Sequence, residues 1–173
     1  MVSATPFLMF TNAAAEAMNF YASVLPDGML EIGPITEYGA DSKIGTPGMV
    51  QAGEMTVDGT RYIVADAPAG FTFGAAFSIM IQVDTQGEID ALWEALTADG
   101  GMELGGGWLT DRFGMTWQVI PRNLLPMMTA GGAPTDRVFG AIIGMKKLVI
   151  ADLEAAFNGD GDGDGDGGAE EAA

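Results

Sequence analysis

The sequence predicts an α+β protein: two βαβββ modules that pair their sheets into a cupped mixed sheet, followed by a C-terminal helical extension. Three observations predict it. Residues 6–28 ("PFLMFTNAAAEAMNFYASVLPDG") recur at an offset of 72 as residues 78–100 ("SIMIQVDTQGEIDALWEALTADG"). A second echo follows each block, "MTVDGTRYIVAD" (55–66) against "LTDRFGMTWQVI" (109–120). After Pro121 the strand-like pattern gives way to a connector and a helical one.

In chain order, each repeated block reads as a short strand, a polar helix start, an amphipathic helix and a Gly stop. Glu16 falls on Glu88, Tyr21 on Trp93 and Asp27-Gly28 on Asp99-Gly100. Ile89, Leu92, Trp93 and Leu96 follow i, i+3, i+4, i+7 spacing, one face of a helix. Thr85 and Glu88 form a capping box at its start, and Asn12 is the expected cap of the first helix. The second echo predicts strands that turn at Gly59 and Gly114, each with an aromatic third after the glycine, Tyr62 or Trp117. Asp58 and Asp111 are expected to organise those turns through their carboxylates. Residues 39–48 form a Gly/Pro loop, and Gly105–Gly107 precede Trp108 in the shorter second half. Module one is placed at about 4–70, module two at about 71–122 and the helical segment at about 135–157, all within one domain, 1–157. Val138, Ile142 and Met145 give that segment an apolar face. Gly140 and Gly144 argue against one straight helix, and Leu148, Leu153 and Ala156 fit a second.

Charge narrows the partners. The chain has 24 acidic and 7 basic residues, a net −17, and residues 158–173 carry six of the acids and no base. Such a surface repels phosphate backbones and anionic lipid, so neither nucleic acid nor a membrane is an expected partner. No apolar run has the ~18 residues a membrane span needs. The N-terminus lacks a basic region and a small-residue cleavage site, and the chain has no cysteine. A cytoplasmic location fits. With no histidine either, the usual catalytic triads and thiolate or imidazole metal sites are absent. The tail "DGDGDGDGGAEE" matches an EF-hand expression through Asp160, Asp162, Asp164, Gly165 and Glu171, but its eighth position is Gly167, where an apolar anchor is usual, and the residues given after the glutamate are Ala172 and Ala173. A Gly-Asp repeat satisfies that expression by composition, and a disordered acidic tail is the expectation.

The stretches "TPFLMFTNAAAEAMNFYASVL", "GGWLTDRFGMTWQVIP" and "GMKKLVIADLEAAF" resemble the PhnB-like family of the vicinal oxygen chelate superfamily, the glyoxalase and bleomycin-resistance fold. The resemblance covers roughly residues 4–157. Members of this branch often carry the label 3-demethylubiquinone-9 3-methyltransferase, yet the sequence has no strand, Gly-rich turn and helix suited to S-adenosylmethionine. In metal-dependent relatives each module supplies one ligand from its first strand and one from its last. Carried over, these positions fall on Pro6, Ile63, Ser78 and Gln118, with Gln118 in place of the usual glutamate. Proline and isoleucine side chains cannot ligate, and two weak neutral groups cannot offset dehydration of a divalent ion. No metal and no other cofactor is therefore expected.

Strand alternation then predicts what a cleft would present. Thr116 and Gln118 lie on one side of the last strand; if Pro6 and Ser78 face the same way, Leu8, Phe10, Met80 and Gln82 join them, with Arg61 and Ile63 completing the wall. A mostly apolar cavity with a few amides and one guanidinium suits a small, partly aromatic or acidic organic molecule. Phe73 and Trp108 lie near loops that could rim it. Three functions stay open: metal-independent binding of such a molecule, a metal-dependent lyase or dioxygenase-type enzyme, and an interaction protein whose sheet core is filled. For Arg61 one half of a surface ion pair is favoured over ligand anchoring, and for Trp117 core over function. The resemblance implies a homodimer, with the apolar C-terminal helix as a contact.

Overall fold

The computed structural model describes residues 2–160. The first repeated block gives β1 (Phe7–Thr11) and α1 (Ala14–Val24); the second gives β5 (Ile79–Val83) and α2 (Gln86–Thr97). Both strands and both helix starts are related by the offset of 72 seen in the sequence. Between them lie β2 (Leu30–Glu37), β3 (Val50–Val57) and β4 (Thr60–Ala67), and after α2 come β6 (Met102–Glu103), β7 (Trp108–Thr110) and β8 (Thr116–Pro121). Each half thus reads strand, helix, three strands. The strands form two four-stranded sheets, ordered β1-β4-β3-β2 and β5-β8-β7-β6.

In the first sheet β1 runs parallel to β4, and β3 is antiparallel to β4 and to β2. The β3–β4 hairpin turns at Asp58-Gly59, both with positive φ. Helix α1 buries Ala14, Ala17, Met18 and Tyr21. Met18 lies over Gly53 of β3, where an added Cβ would sit 3.5 Å from its methyl. α1 therefore covers the face of the sheet that carries Leu8, Phe10, Val64 and Met55.

The two helix starts are capped differently. At α2 the expected box forms: Glu88 Oε2 accepts from the Thr85 amide at 2.8 Å, and the Glu88 amide donates to Thr85 Oγ1 at 3.3 Å. At α1 the expected cap Asn12 takes φ 52° and does not cap. Ala13 is the N-cap residue, and Asp66 of β4 supplies the acceptor instead, taking the Ala13 and Ala14 amides at 2.8 and 2.9 Å. Its other oxygen accepts from Val50 N at 2.9 Å. A carboxylate held by three amides on a neighbouring strand outcompetes the local amide side chain.

Among the described residues the segment after Pro121 contains three helices: α3 (Leu124–Thr129) inside the expected connector, α4 (Gly132–Gly144) and α5 (Ile150–Asn158). Gly144 ends α4; Leu153 and Ala156 belong to a second helix, α5, whereas Leu148 lies in the link before it. Val138, Leu148 and Leu153 pack with Ile120, Leu124 and Met127, with Ile142 and Met145 against them. Arg137 closes α5 by donating to the carbonyls of Ala156 and Phe157 at 2.7 and 2.8 Å. Asn158 ends α5 and Gly159, at φ 82°, caps it, so the helix runs one residue into the segment expected to be tail. The calcium-like pattern and the rest of that tail, residues 161–173, lie outside the described residues. Among the described residues no helix is long and apolar enough to cross a membrane.

By packing, the chain divides into two compact units. Among the described residues, one takes residues 2–79 with Glu94–Met102 and Thr110–Trp117; the other takes Met80–Trp93, Glu103–Leu109 and residues 118–160.

Candidate functional site

Sheet register decides which of the sequence-selected residues share a face. Phe7 pairs with Ile63 and Leu8 with Val64, so Leu8 and Phe10 lie on the face opposite Ile63 and Arg61. The proposed wall therefore does not assemble on the first sheet. Leu8 and Phe10 are buried beneath α1. The other face carries Phe7, Met9, Ile63 and, through Glu54↔Ile63 and Thr56↔Arg61, the partners of β3. Arg61 is exposed and its Nε donates to Glu54 Oε2 at 2.9 Å, the surface pair that is its favoured reading. In the second half Thr116 is fully buried, Met80 is exposed, and Ser78, Gln82 and Gln118 are half-buried.

The open space beside β1 is bounded instead by the loop of residues 68–77, whose "GFTFGAAF" run places three phenylalanines over the strand. Thr11 Oγ1 donates to Phe71 O at 3.2 Å, and Phe73 packs edge-on to Phe10 at 4.9 Å between centroids. Two cavities result. A cavity of about 340 Å³ is lined by Met9, Phe10, Phe71, Phe73, Arg112 and Phe113, among others. One of about 470 Å³ is lined by Pro6, Phe7, Leu8, Phe73 and Phe77. Phe73 borders both. Of the sequence-selected cleft residues, Phe10 borders the smaller cavity and Leu8 the larger; neither lining includes Arg61, Ile63, Ser78, Met80, Gln82, Thr116 or Gln118. Sequence reasoning misses Phe71, Phe77, Arg112 and Phe113. The closely spaced aromatics of the 71–77 loop are the available signal.

Arg112 and Phe113 owe their placement to the turn between them and Gly114. The Gly114 amide donates to Asp111 O at 2.9 Å, and Gly114 takes φ 80°, a conformation costly for any residue with a Cβ. Inside the turn the buried Asp111 carboxylate accepts four hydrogen bonds. Oδ1 takes the amides of Phe113 and Met115 at 2.8 and 3.0 Å; Oδ2 takes Tyr21 Oη–H and Trp117 Nε1–H at 2.7 and 2.8 Å. This is the turn-organising role expected of Asp111, and Trp117 is the core residue it was expected to be. Burial raises the Asp111 carboxyl above its ordinary range, against the pull of its four donors. Burial next to Asp111 raises Tyr21 much further, so it remains a donor. Arg112 lies 4.3 Å from the Phe20 ring centroid and 5.0 Å from that of Phe113, and pairs with Glu16 and Asp99 at 3.2 and 3.3 Å. Its Nε is buried with no hydrogen-bond partner among the described residues.

A family profile described as 3-demethylubiquinone-9 3-methyltransferase matches residues 2–120. The structure of a PhnB protein from Bacillus cereus, carrying the same methyltransferase description, is 33% identical, with 69% of this chain and 99% of that one covered and a TM-score of 0.62. The chain belongs to the PhnB-like family of the vicinal oxygen chelate superfamily. A second neighbour of this PhnB-like chain in structure, a protein from Pseudomonas aeruginosa, is 27% identical over 70% of this chain and 98% of its own, with a TM-score of 0.55. The fosfomycin resistance protein FosX of Listeria monocytogenes, solved with Mn(II) and a dihydroxypropylphosphonic acid, shares the fold at 12% identity, 69% and 92% coverage and a TM-score of 0.50. No curated protein matches the chain.

The groups that family names imply do not fit the residues present. The positions on which the resemblance places the ligands of metal-dependent relatives, Pro6, Ile63, Ser78 and Gln118, offer two inert side chains and two neutral ones. Among the described residues no group of three His, Cys, Asp or Glu is placed to hold a metal ion. For S-adenosylmethionine, the strand-to-helix links before α1 and α2 contain no glycine. Asp66 accepts from the Ala13 and Ala14 amides and Glu88 from the Asp84 and Thr85 amides, so a carboxylate already stands at each of these links and opposes a bound phosphate or carboxylate.

Proposed function

We propose that this PhnB-like protein binds a small aromatic organic molecule in the cavity beside β1, without a metal. The observation that carries this reading is the 340 Å³ space walled by Phe10, Phe71, Phe73 and Phe113, a size and lining suited to one substituted aromatic ring. Arg112 stands on its border. A ligand with a hydrogen-bond acceptor on its ring would meet that guanidinium there. The donor chemistry at Pro6, Ile63, Ser78 and Gln118 supports the metal-free part. Residue chemistry gives the methyltransferase description no support.

Calorimetry with benzoate, benzamide and benzyl alcohol tests the proposal on protein purified without chelator, after its metal content has been measured. Saturable binding of an acceptor-bearing ring, weakened about tenfold by Phe73→Ala through the loss of ~1.5 kcal/mol of ring contact, is the expected result. A stoichiometric transition metal defeats the metal-free reading. Binding untouched by Phe73→Ala places the ligand elsewhere.

A further inference from the structure

The two cavities beside β1 divide that strand between them. The smaller is lined by Met9, Phe10 and Thr11, the larger by Phe7 and Leu8 with Pro6 just before them. Thr72 and Phe73 line both. Phe73 lies edge-on to Phe10 at 4.9 Å between centroids, so its ring stands where the two spaces adjoin. Every residue that lines either space belongs to the same compact unit.

The two spaces differ in chemistry. The smaller has the Arg112 guanidinium on its border. Among the described residues that line the larger, none is charged and Thr72 carries the one polar side chain. Phe7 and Phe77 wall it and are 56% and 44% exposed, so a molecule in the cavity reaches both rings as they stand. Phe7 pairs with Ile63 on the sheet face opposite the one that buries Leu8 and Phe10. On a chain of net charge −17, two open aromatic rings around an uncharged cavity favour an apolar occupant. A polar or charged group would lose water there and find no partner.

We propose, resting on the ring-binding reading above, that the ligand is an aromatic ring with an unbranched, uncharged apolar arm. The ring occupies the smaller cavity and the arm the larger, against Phe7 and Phe77. Phe73 stands where ring and arm join. An arm of about four carbons is accommodated by the 470 Å³ space.

Calorimetry on the full chain tests this with three compounds: benzamide, p-butylbenzamide, and the butyl compound ending in a carboxylate. Two variants each change an exposed ring that lines one cavity only, Phe71→Ala at the smaller and Phe77→Ala at the larger. The butyl arm is expected to tighten binding about tenfold through partial burial of its carbons, and the carboxylate to cancel that gain. Phe77→Ala is expected to remove most of the gain while leaving benzamide unchanged. Phe71→Ala is expected to weaken benzamide and p-butylbenzamide by the same factor. A gain that Phe77→Ala does not reduce, or that the carboxylate does not cancel, overturns the arm subsite and leaves the ring reading standing. Binding that ignores Phe71→Ala, or no saturable binding of either compound, overturns the ring reading and the arm with it. Sedimentation velocity addresses a second copy of the chain as the occupant. Native protein and Phe77→Ala are expected to sediment alike, and a native dimer that Phe77→Ala dissociates overturns the proposal.

Discussion

Replacing Asp111 with Asn keeps the shape of the buried side chain and removes its charge, which makes the energetics of the "DRFG" turn measurable. The asparagine carbonyl can still take the Phe113 and Met115 amides, which leaves its NH₂ facing Tyr21 and Trp117. Tyr21 can rotate its hydroxyl and accept; an indole N–H can only donate. Stranding the Trp117 donor costs about 2 kcal/mol, and losing the charged acceptor weakens the two amide bonds by about 1 kcal/mol together. Removing a charge whose burial is unfavourable returns about 1 kcal/mol. The net expectation is a loss of about 2 kcal/mol, or roughly 4–8 °C in Tm for a chain of this size. Urea unfolding should show a lower midpoint with an unchanged m value. Trp117→Phe should cost less in the Asp111→Asn background than in the native one, because the stranded donor leaves with the indole; a coupling of about 1 kcal/mol is expected. An Asp111→Asn variant within about 0.5 kcal/mol of the native protein, which is the range of ordinary surface changes, refutes the four-bond account. So does an absent coupling.

The same carboxyl sets a pH dependence. Its folded value lies above the ordinary 3.8, so its contribution is greatest below the unfolded range and is lost as pH rises through the folded value. The stability gap between the native protein and Asp111→Asn should narrow from about pH 3 to neutrality, and a widening gap in urea midpoints contradicts it. Thr116 Oγ1 is buried with no partner among the described residues, so Thr116→Val should stabilise by about 1 kcal/mol by calorimetric Tm; destabilisation would reveal a bond to that hydroxyl. Gly107 and Gly114 share φ near 80°, but a Cβ at Gly107 meets Leu148 Cδ1 at 2.9 Å and Val119 O at 3.1 Å while one at Gly114 meets nothing within 4 Å. Gly107→Ala should cost about 3 kcal/mol and Gly114→Ala only about 1. Equal costs in urea unfolding would mean that backbone strain alone decides both.

How much of this molecule was legible in its sequence turns on the two periods that proteins use. The offset of 72 relates the bounds of β1 to those of β5 and the start of α1 to that of α2. Yet within those bounds burial inverts: Leu8 and Phe10 are buried in β1, whereas in β5 Met80, the counterpart of Leu8, is exposed and Ile79, Ile81 and Val83 are buried. The helices are displaced too, since the buried set Ala14, Ala17, Met18, Tyr21 superposes on Ile89, Leu92, Trp93, Leu96 at an offset of 75. A three-residue shift turns a helix face by only about 60°, less than the width of its apolar stripe, so Tyr21 and Trp93 remain buried and the repeat still reads correctly. A strand has no such tolerance, because an odd shift exchanges its two faces outright. That is why the helices, the capping box and the Asp111 turn follow from the sequence. The wall built from Leu8, Phe10, Ile63 and Arg61 by alternation does not form. The capping of α1 by Asp66 had the same cause: the acceptor arrives from a strand 52 residues away, and no local pattern at Asn12 encodes it. The loop aromatics escape the problem altogether. Phe71, Phe73 and Phe77 sit on no strand whose parity must be guessed, and a cavity whose lining they dominate depends on the path of the loop, which is set where Thr11 holds the carbonyl of Phe71.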